Sequence, residues 1–82
     1  MRSATDLSYT TYTSRGRALA GARHHYCKVS GGRYPGGIYY TMDDVDIVQT
    51  ANGWRWRFIL DFDESAVASE EVLKHLRARA IN

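Results

Sequence analysis

The chain is predicted to fold as α+β: a small antiparallel sheet built on a β-hairpin over about 38–62, with two helices, about 15–29 and 65–80, packed on one face. Three observations lead there. Asn52-Gly53 separates two β-prone runs, and Asn-Gly suits a type I′ turn, whose two central residues both need φ > 0. The run Trp54-Arg55-Trp56-Arg57-Phe58-Ile59-Leu60-Asp61-Phe62 alternates large apolar residues with others, as a half-buried strand does. Apolar residues recur at helical spacing on either side of this hairpin.

Taken from the N-terminus, residues 1–6 are expected to form a loose tail. Leu7 to Thr13, rich in Tyr and Thr, reads as a short third strand at the edge of the sheet. Ser14 is placed to cap a helix running to about Val29, with Leu19, Ala22, Tyr26 and Val29 as its apolar stripe. Arg15, Arg17, Arg23, His24 and Lys28 occupy its other faces. Ser30-Gly31-Gly32 supplies a C-cap. Gly31 to Gly37 reads as a connector, or as a mobile loop presenting Arg33 and Tyr34. It lacks the Gly-Lys-Ser/Thr sequence leading into a helix that a phosphate-binding loop requires.

A two-residue turn at Asn52-Gly53 sets Ala51 opposite Trp54, Ile47 opposite Phe58 and Asp44 opposite Asp61, with Arg57 diagonal to Asp46. One face then carries Val45, Ile47, Trp54, Trp56, Phe58, Leu60 and Phe62, while the other carries Asp44, Asp46, Thr50, Arg55, Arg57 and Asp61. Asp44 against Asp61 is a like-charge pair expected to splay the strands or draw in a neutralising partner. After the hairpin, Asp63, Ser65 or Ser69 can cap the second helix. Its stripe is Ala68, Val72, Leu73, Leu76 and Ala80; Glu70 and Glu71 sit early and Lys74, Arg77 and Arg79 late, as the helix dipole favours.

At 82 residues, 44% hydrophobic and 24% charged, the chain is too apolar for a disordered one and is expected to be a single compact domain over 1–82. No run of about 18 apolar residues offers a membrane span, and Met-Arg-Ser-Ala-Thr-Asp lacks the apolar core of a secretory signal. The one cysteine, Cys27, cannot close an internal disulfide, which fits a reducing cytosol.

No catalytic, metal or nucleotide motif emerges, so neither enzyme activity nor a cofactor is expected. His24, His25 and Cys27 lack the second ligand pair of a structural zinc site. As a nucleophile and base they lack an oxyanion site, and the simpler reading is a partly buried Cys27 beside solvated histidines. Asp43, Asp44, Asp46, Asp61, Asp63 and Glu64 gather at the open end of the hairpin without the Asp-x-Asp-x-Asp-Gly spacing of a calcium loop.

Charge is distributed unevenly. Residues 1–42 hold six basic residues against Asp6, a balance of +5, and residues 43–82 hold five against eight acidic, a balance of −3. Two binding surfaces follow. A partner protein would meet Asp43, Asp44, Asp46, Asp61, Trp54, Arg55 and Arg57, a set combining acids that mimic phosphate with residue types common at binding hot spots. Nucleic acid would instead meet Arg15, Arg17, Arg23, Lys28, Arg33 and Tyr34, with the hairpin arginines. The exposed sheet edge allows either a monomer or a homodimer.

Small size, bipolar charge and the absence of a catalytic signature, taken over the whole chain, resemble the small phage- and mobile-element-encoded regulators known as anti-CRISPR proteins. The resemblance is one of type, with no signature motif. It implies a non-enzymatic inhibitor in the host bacterial cytosol. Its partner would be a host protein complex such as a CRISPR–Cas effector, and its mechanism the occlusion of that complex's nucleic-acid-binding surface.

Overall fold

In chain order the elements are β1 (Arg2–Leu7), α1 (Arg15–Lys28), β2 (Ile38–Tyr39), a 3-10 turn (Met42–Asp44), β3 (Asp46–Thr50), β4 (Gly53–Phe62), α2 (Glu70–Ala78) and β5 (Ala80–Ile81). The computed structural model describes residues 1–28 and 36–81. β4 is the centre of the sheet. β1 runs antiparallel along one side of it, from Arg2 opposite Phe62 to Leu7 opposite Arg57. On the other side β3 covers the first half of β4, and β2 covers its end with Ile38 opposite Phe62. β5 pairs with the outer edge of β1, Ala80 opposite Ala4. The architecture is α+β, with two helices against a five-stranded antiparallel sheet.

Alternation along β4 builds the core. Trp56, Phe58, Leu60 and Phe62 point to the helix side and are buried, and Trp54 at the strand's start is half-buried there. Phe58 meets Tyr40 edge-on at 4.9 Å and Trp56 at 5.3 Å, pairs worth about 0.5–1.5 kcal/mol each beyond burial. α1 contributes Ala18 and Ala22, both 0% exposed, small side chains that let the helix lie close to the sheet. Ser14 caps α1 by accepting the Arg17 N–H at 3.2 Å. Ser69, not Ser65, caps α2, accepting the Val72 N–H at 3.3 Å, and Leu73 and Leu76 close the core from above.

The structure corrects several sequence expectations. Residues 1–6, expected as a loose tail, lie almost wholly within β1, and the third strand therefore falls on Arg2–Leu7 rather than 7–13. Its core-facing residues are Arg2, Ala4 and Asp6, so it carries almost no apolar alternation. What holds it is the hydrogen-bond ladder to β4. Ser8 still bonds to Trp56, residues 9–11 turn away from the sheet, and Tyr12 returns to bridge Trp54.

The hairpin register is shifted by two residues. Thr50 pairs with Gly53 and Ile47 with Trp56, so Ala51-Asn52 form the turn. A shift of two leaves every side chain on its expected face, whereas a shift of one would have inverted them. Gly53 serves a different purpose from the turn position expected of it. Its φ is +135°, and a Cβ there would lie 2.5 Å from the Tyr12 carbonyl oxygen.

The Asp44–Asp61 pair does not form. Asp44 belongs to the 3-10 turn, and Asp61 faces Tyr39 and Ser3. The buried side of α1 is centred on Ala18 and Ala22, with Leu19 and Tyr26 half-buried and Val29 outside the described residues. α2 ends at Ala78, and Ala80, expected on its stripe, is a β5 residue; Val72, also expected there, is 39% exposed.

Candidate functional site

Both helices cover the same side of the sheet, which leaves the other side bare among the described residues. Odd-numbered β4 residues face that way, so Arg55, Arg57, Ile59 and Asp61 share a surface with Asp46 and Val48 of β3, Tyr39 of β2 and Ser3, Thr5 and Leu7 of β1. Arg57 donates to Asp46 at 2.9 Å, directly across the strands rather than diagonally. Ser3 Oγ donates to Asp61 at 2.7 Å. Arg55 is drawn to the loop after β1, its Nε donating to the Ser8 carbonyl at 2.7 Å and its Nη2 to the same oxygen.

The predicted partner-binding set is therefore only partly assembled. Asp46, Asp61, Arg55 and Arg57 share the bare face. Asp43 and Asp44 lie in the turn that leads into β3, where Thr41 Oγ1 accepts the Asp43 N–H at 3.1 Å and donates to Asp44 at 3.3 Å. Trp54 is excluded, because it points to the opposite, helix side.

Asp63 and Glu64 are also engaged. Ser65 donates its hydroxyl and its N–H to Asp63, holding that carboxyl below the usual range. Glu64 Oε1 accepts from Arg77 at 2.7 Å and from Arg2 at 3.0 Å. These bonds, Arg77's first, lower the Glu64 pKa and raise that of Arg77. The acidic cluster is thus largely tied into the fold.

The basic set stands differently. α1 contains no acidic residue, and Arg15, Arg17, Arg23 and Lys28 are all exposed. Among the described residues no ion pair engages any of the four. Arg33 and Tyr34 lie outside the described residues. His24 and Cys27 are exposed, which corrects the expectation of a partly buried cysteine. His25, expected in solvent, is half-buried: its ring stacks on Trp56 at 4.5 Å and its Nε2 lies 3.4 Å from Asp6 Oδ2.

Sequence reasoning missed that Asp6–His25 contact and the cleft beside it. Asp6 and His75 line a cleft of about 60 Å³ between α2 and the sheet, with Ile38, Leu60, Val72 and Leu76. Asp6 and His75 are far apart in sequence and share no motif, so only folding could have revealed it. That volume suits a few waters rather than a metabolite. Among the described residues no three His, Cys, Asp or Glu side chains are arranged to hold a metal ion, and no helix is long and apolar enough to cross a membrane. Compared with known proteins, the chain matches no family model, no curated protein sequence and no solved structure.

Proposed function

We propose that this is a non-enzymatic binding protein that takes an anionic partner, nucleic acid foremost, on the exposed face of α1. One observation carries the reading: a 14-residue helix with no acidic side chain exposes four cations that no described carboxylate neutralises. Arg and Lys in this arrangement meet phosphate oxygens without base specificity. Tyr9, 88% exposed in the loop that feeds α1, offers a ring for base stacking.

Affinity for a short duplex, followed by fluorescence anisotropy across salt concentrations, tests this. Arg17 and Lys28 lie on one side of the helix with Arg15 and Arg23 turned from them, so two to four phosphate contacts give a log–log slope of about −1.8 to −3.6 at −0.9 each. Replacing Arg15, Arg17, Arg23 and Lys28 with Gln should flatten that slope, and a wild-type slope near zero would remove the reading.

The second reading is the inhibitor of a host complex such as a CRISPR–Cas effector, docking through the acidic turn at Asp43 and Asp44 and the adjoining end of the bare sheet face. Its support is Tyr39, 51% exposed opposite Asp61 and shortly before Asp43 and Asp44. A pull-down from bacterial lysate with and without nuclease separates the two. A defined partner that survives nuclease, and is lost when Asp43, Asp44 and Asp46 become Lys, favours the inhibitor.

A further inference from the structure

We propose that β3 is a dimerisation edge, pairing antiparallel with β3 of a second copy about a two-fold axis at Val48. The backbone directions along β4 define which β3 groups are free. Trp54 turns both its N–H and its carbonyl to Tyr12, and the Trp56 carbonyl accepts from Ser8, all on the β1 side. The β3 residues opposite them, Gln49 and Ile47, therefore direct their own N–H and C=O groups away from β4, because antiparallel pairs alternate between bonded and non-bonded. No described strand meets that edge.

A natural edge is usually protected by Pro, Lys, a bulge or extreme shortness. The opposite side of the sheet follows this practice, ending in the two-residue β5. β3 has five residues, Asp-Ile-Val-Gln-Thr, with neither Pro nor Lys. Its one charge, Asp46, is already neutralised by Arg57. Ile47, Val45 and Met42 pack against the core but remain only partly buried, so apolar surface is left along this border.

These observations select the occupant and the register. With Val48 on the axis, Ile47 of one copy faces Gln49 of the other, and each such pair exchanges two backbone bonds. All the outward-facing groups of both residues are then used. Shifting the axis to Ile47 would instead oppose Gln49 to Val45, whose N–H is already committed to the Met42 carbonyl. The chosen register also separates the two Asp46 side chains, setting each against a Thr50. Because such an axis is perpendicular to the sheet, both α1 helices lie on the same side of a continuous ten-stranded sheet. A five-residue seam is small by the standard of permanent interfaces, so the association is expected to be reversible.

Sedimentation velocity on the full chain without nucleic acid, from about 10 to 500 μM, tests this at the micromolar strength a small seam allows. The weight-average mass should climb from 9.3 kDa toward twice that value. Gln49→Pro removes an outward N–H, a substitution an edge strand tolerates, and should weaken dimerisation at least tenfold with the far-UV circular dichroism unchanged. Val48→Lys keeps the backbone intact, places two cations on the axis and should do the same. A wild-type mass of 9.3 kDa throughout, or a dimer that persists in both variants, overturns the proposal. With no nucleic acid present, either result leaves the reading of α1 to be judged by its own salt dependence.

Discussion

Replacing Gly53 with Asn separates two physical roles that a glycine can play in a hairpin. Were Gly53 the second central residue of a type I′ turn, Asn would adopt the left-handed conformation at little cost. Its actual φ of +135° lies outside that basin, and an added Cβ would stand 2.5 Å from the Tyr12 carbonyl oxygen. Forcing a side chain into that backbone conformation costs about 1–3 kcal/mol. Relieving the contact requires Tyr12 to move away from its exchange of two bonds with Trp54, at 2.7 and 2.8 Å, worth about 1 kcal/mol each. The expected destabilisation is therefore about 3–5 kcal/mol, or at least about 12 °C in Tm at roughly 4 °C per kcal/mol for a domain of this size. Differential scanning calorimetry of wild type, Gly53→Asn and Gly53→Ala provides the measurement. An Asn variant within about 0.5 kcal/mol of wild type would refute the reasoning, since a surface turn change of that size is ordinary.

Two further substitutions probe how the chain ends are held. Ser8 is 3% exposed; its hydroxyl donates to the Thr10 carbonyl at 2.8 Å and accepts the Trp56 N–H at 3.3 Å. Ser8→Ala should lower stability by about 1–3 kcal/mol through the buried groups left unpaired, and a urea titration showing less than about 0.5 kcal/mol would contradict this. Glu64 joins Arg2 of β1 to Arg77 of α2, and its folded-state pKa is depressed, chiefly by the Arg77 hydrogen bond. A depressed carboxyl stabilises the fold above its unfolded pKa and stops doing so as pH falls through the folded value. Glu64→Gln should accordingly lower the urea midpoint at neutral pH and converge with wild type in acid; a gap independent of pH would rule the linkage out.

The charge imbalance between the two halves of the sequence acquires meaning from the way folding distributes it. Asp46, Asp61, Asp63 and Glu64 each accept from a neighbour within the fold. The cations of α1 do not share in this, and their exposed face is what an anionic partner would meet. Arg55 and Arg57, equally prominent in the sequence, are held by the Ser8 carbonyl and Asp46 and contribute more to the sheet than to a free surface.

Much of this architecture was determined by local sequence. The alternation from Trp54 to Phe62 names the core face of β4 whatever the register, because side chains repeat every two residues and the actual pairing differs from the expected one by two. Ser14 marks a helix start, and Ser69 is among the three candidates for the second, because a cap acts on N–H groups only two or three residues away. Long-range contacts decided the rest. β1 has a single buried apolar residue, Ala4, so no pattern announces it, and its place in the sheet depends on pairing with residues fifty or more positions away. The displaced turn arises because Tyr12 claims the space beside Gly53, and His25 leaves solvent because Trp56 presents a ring beneath it. Periodicity and capping are short-range and can be read along the chain, whereas register, burial of polar side chains and the neutralisation of charges depend on which distant segments folding brings together.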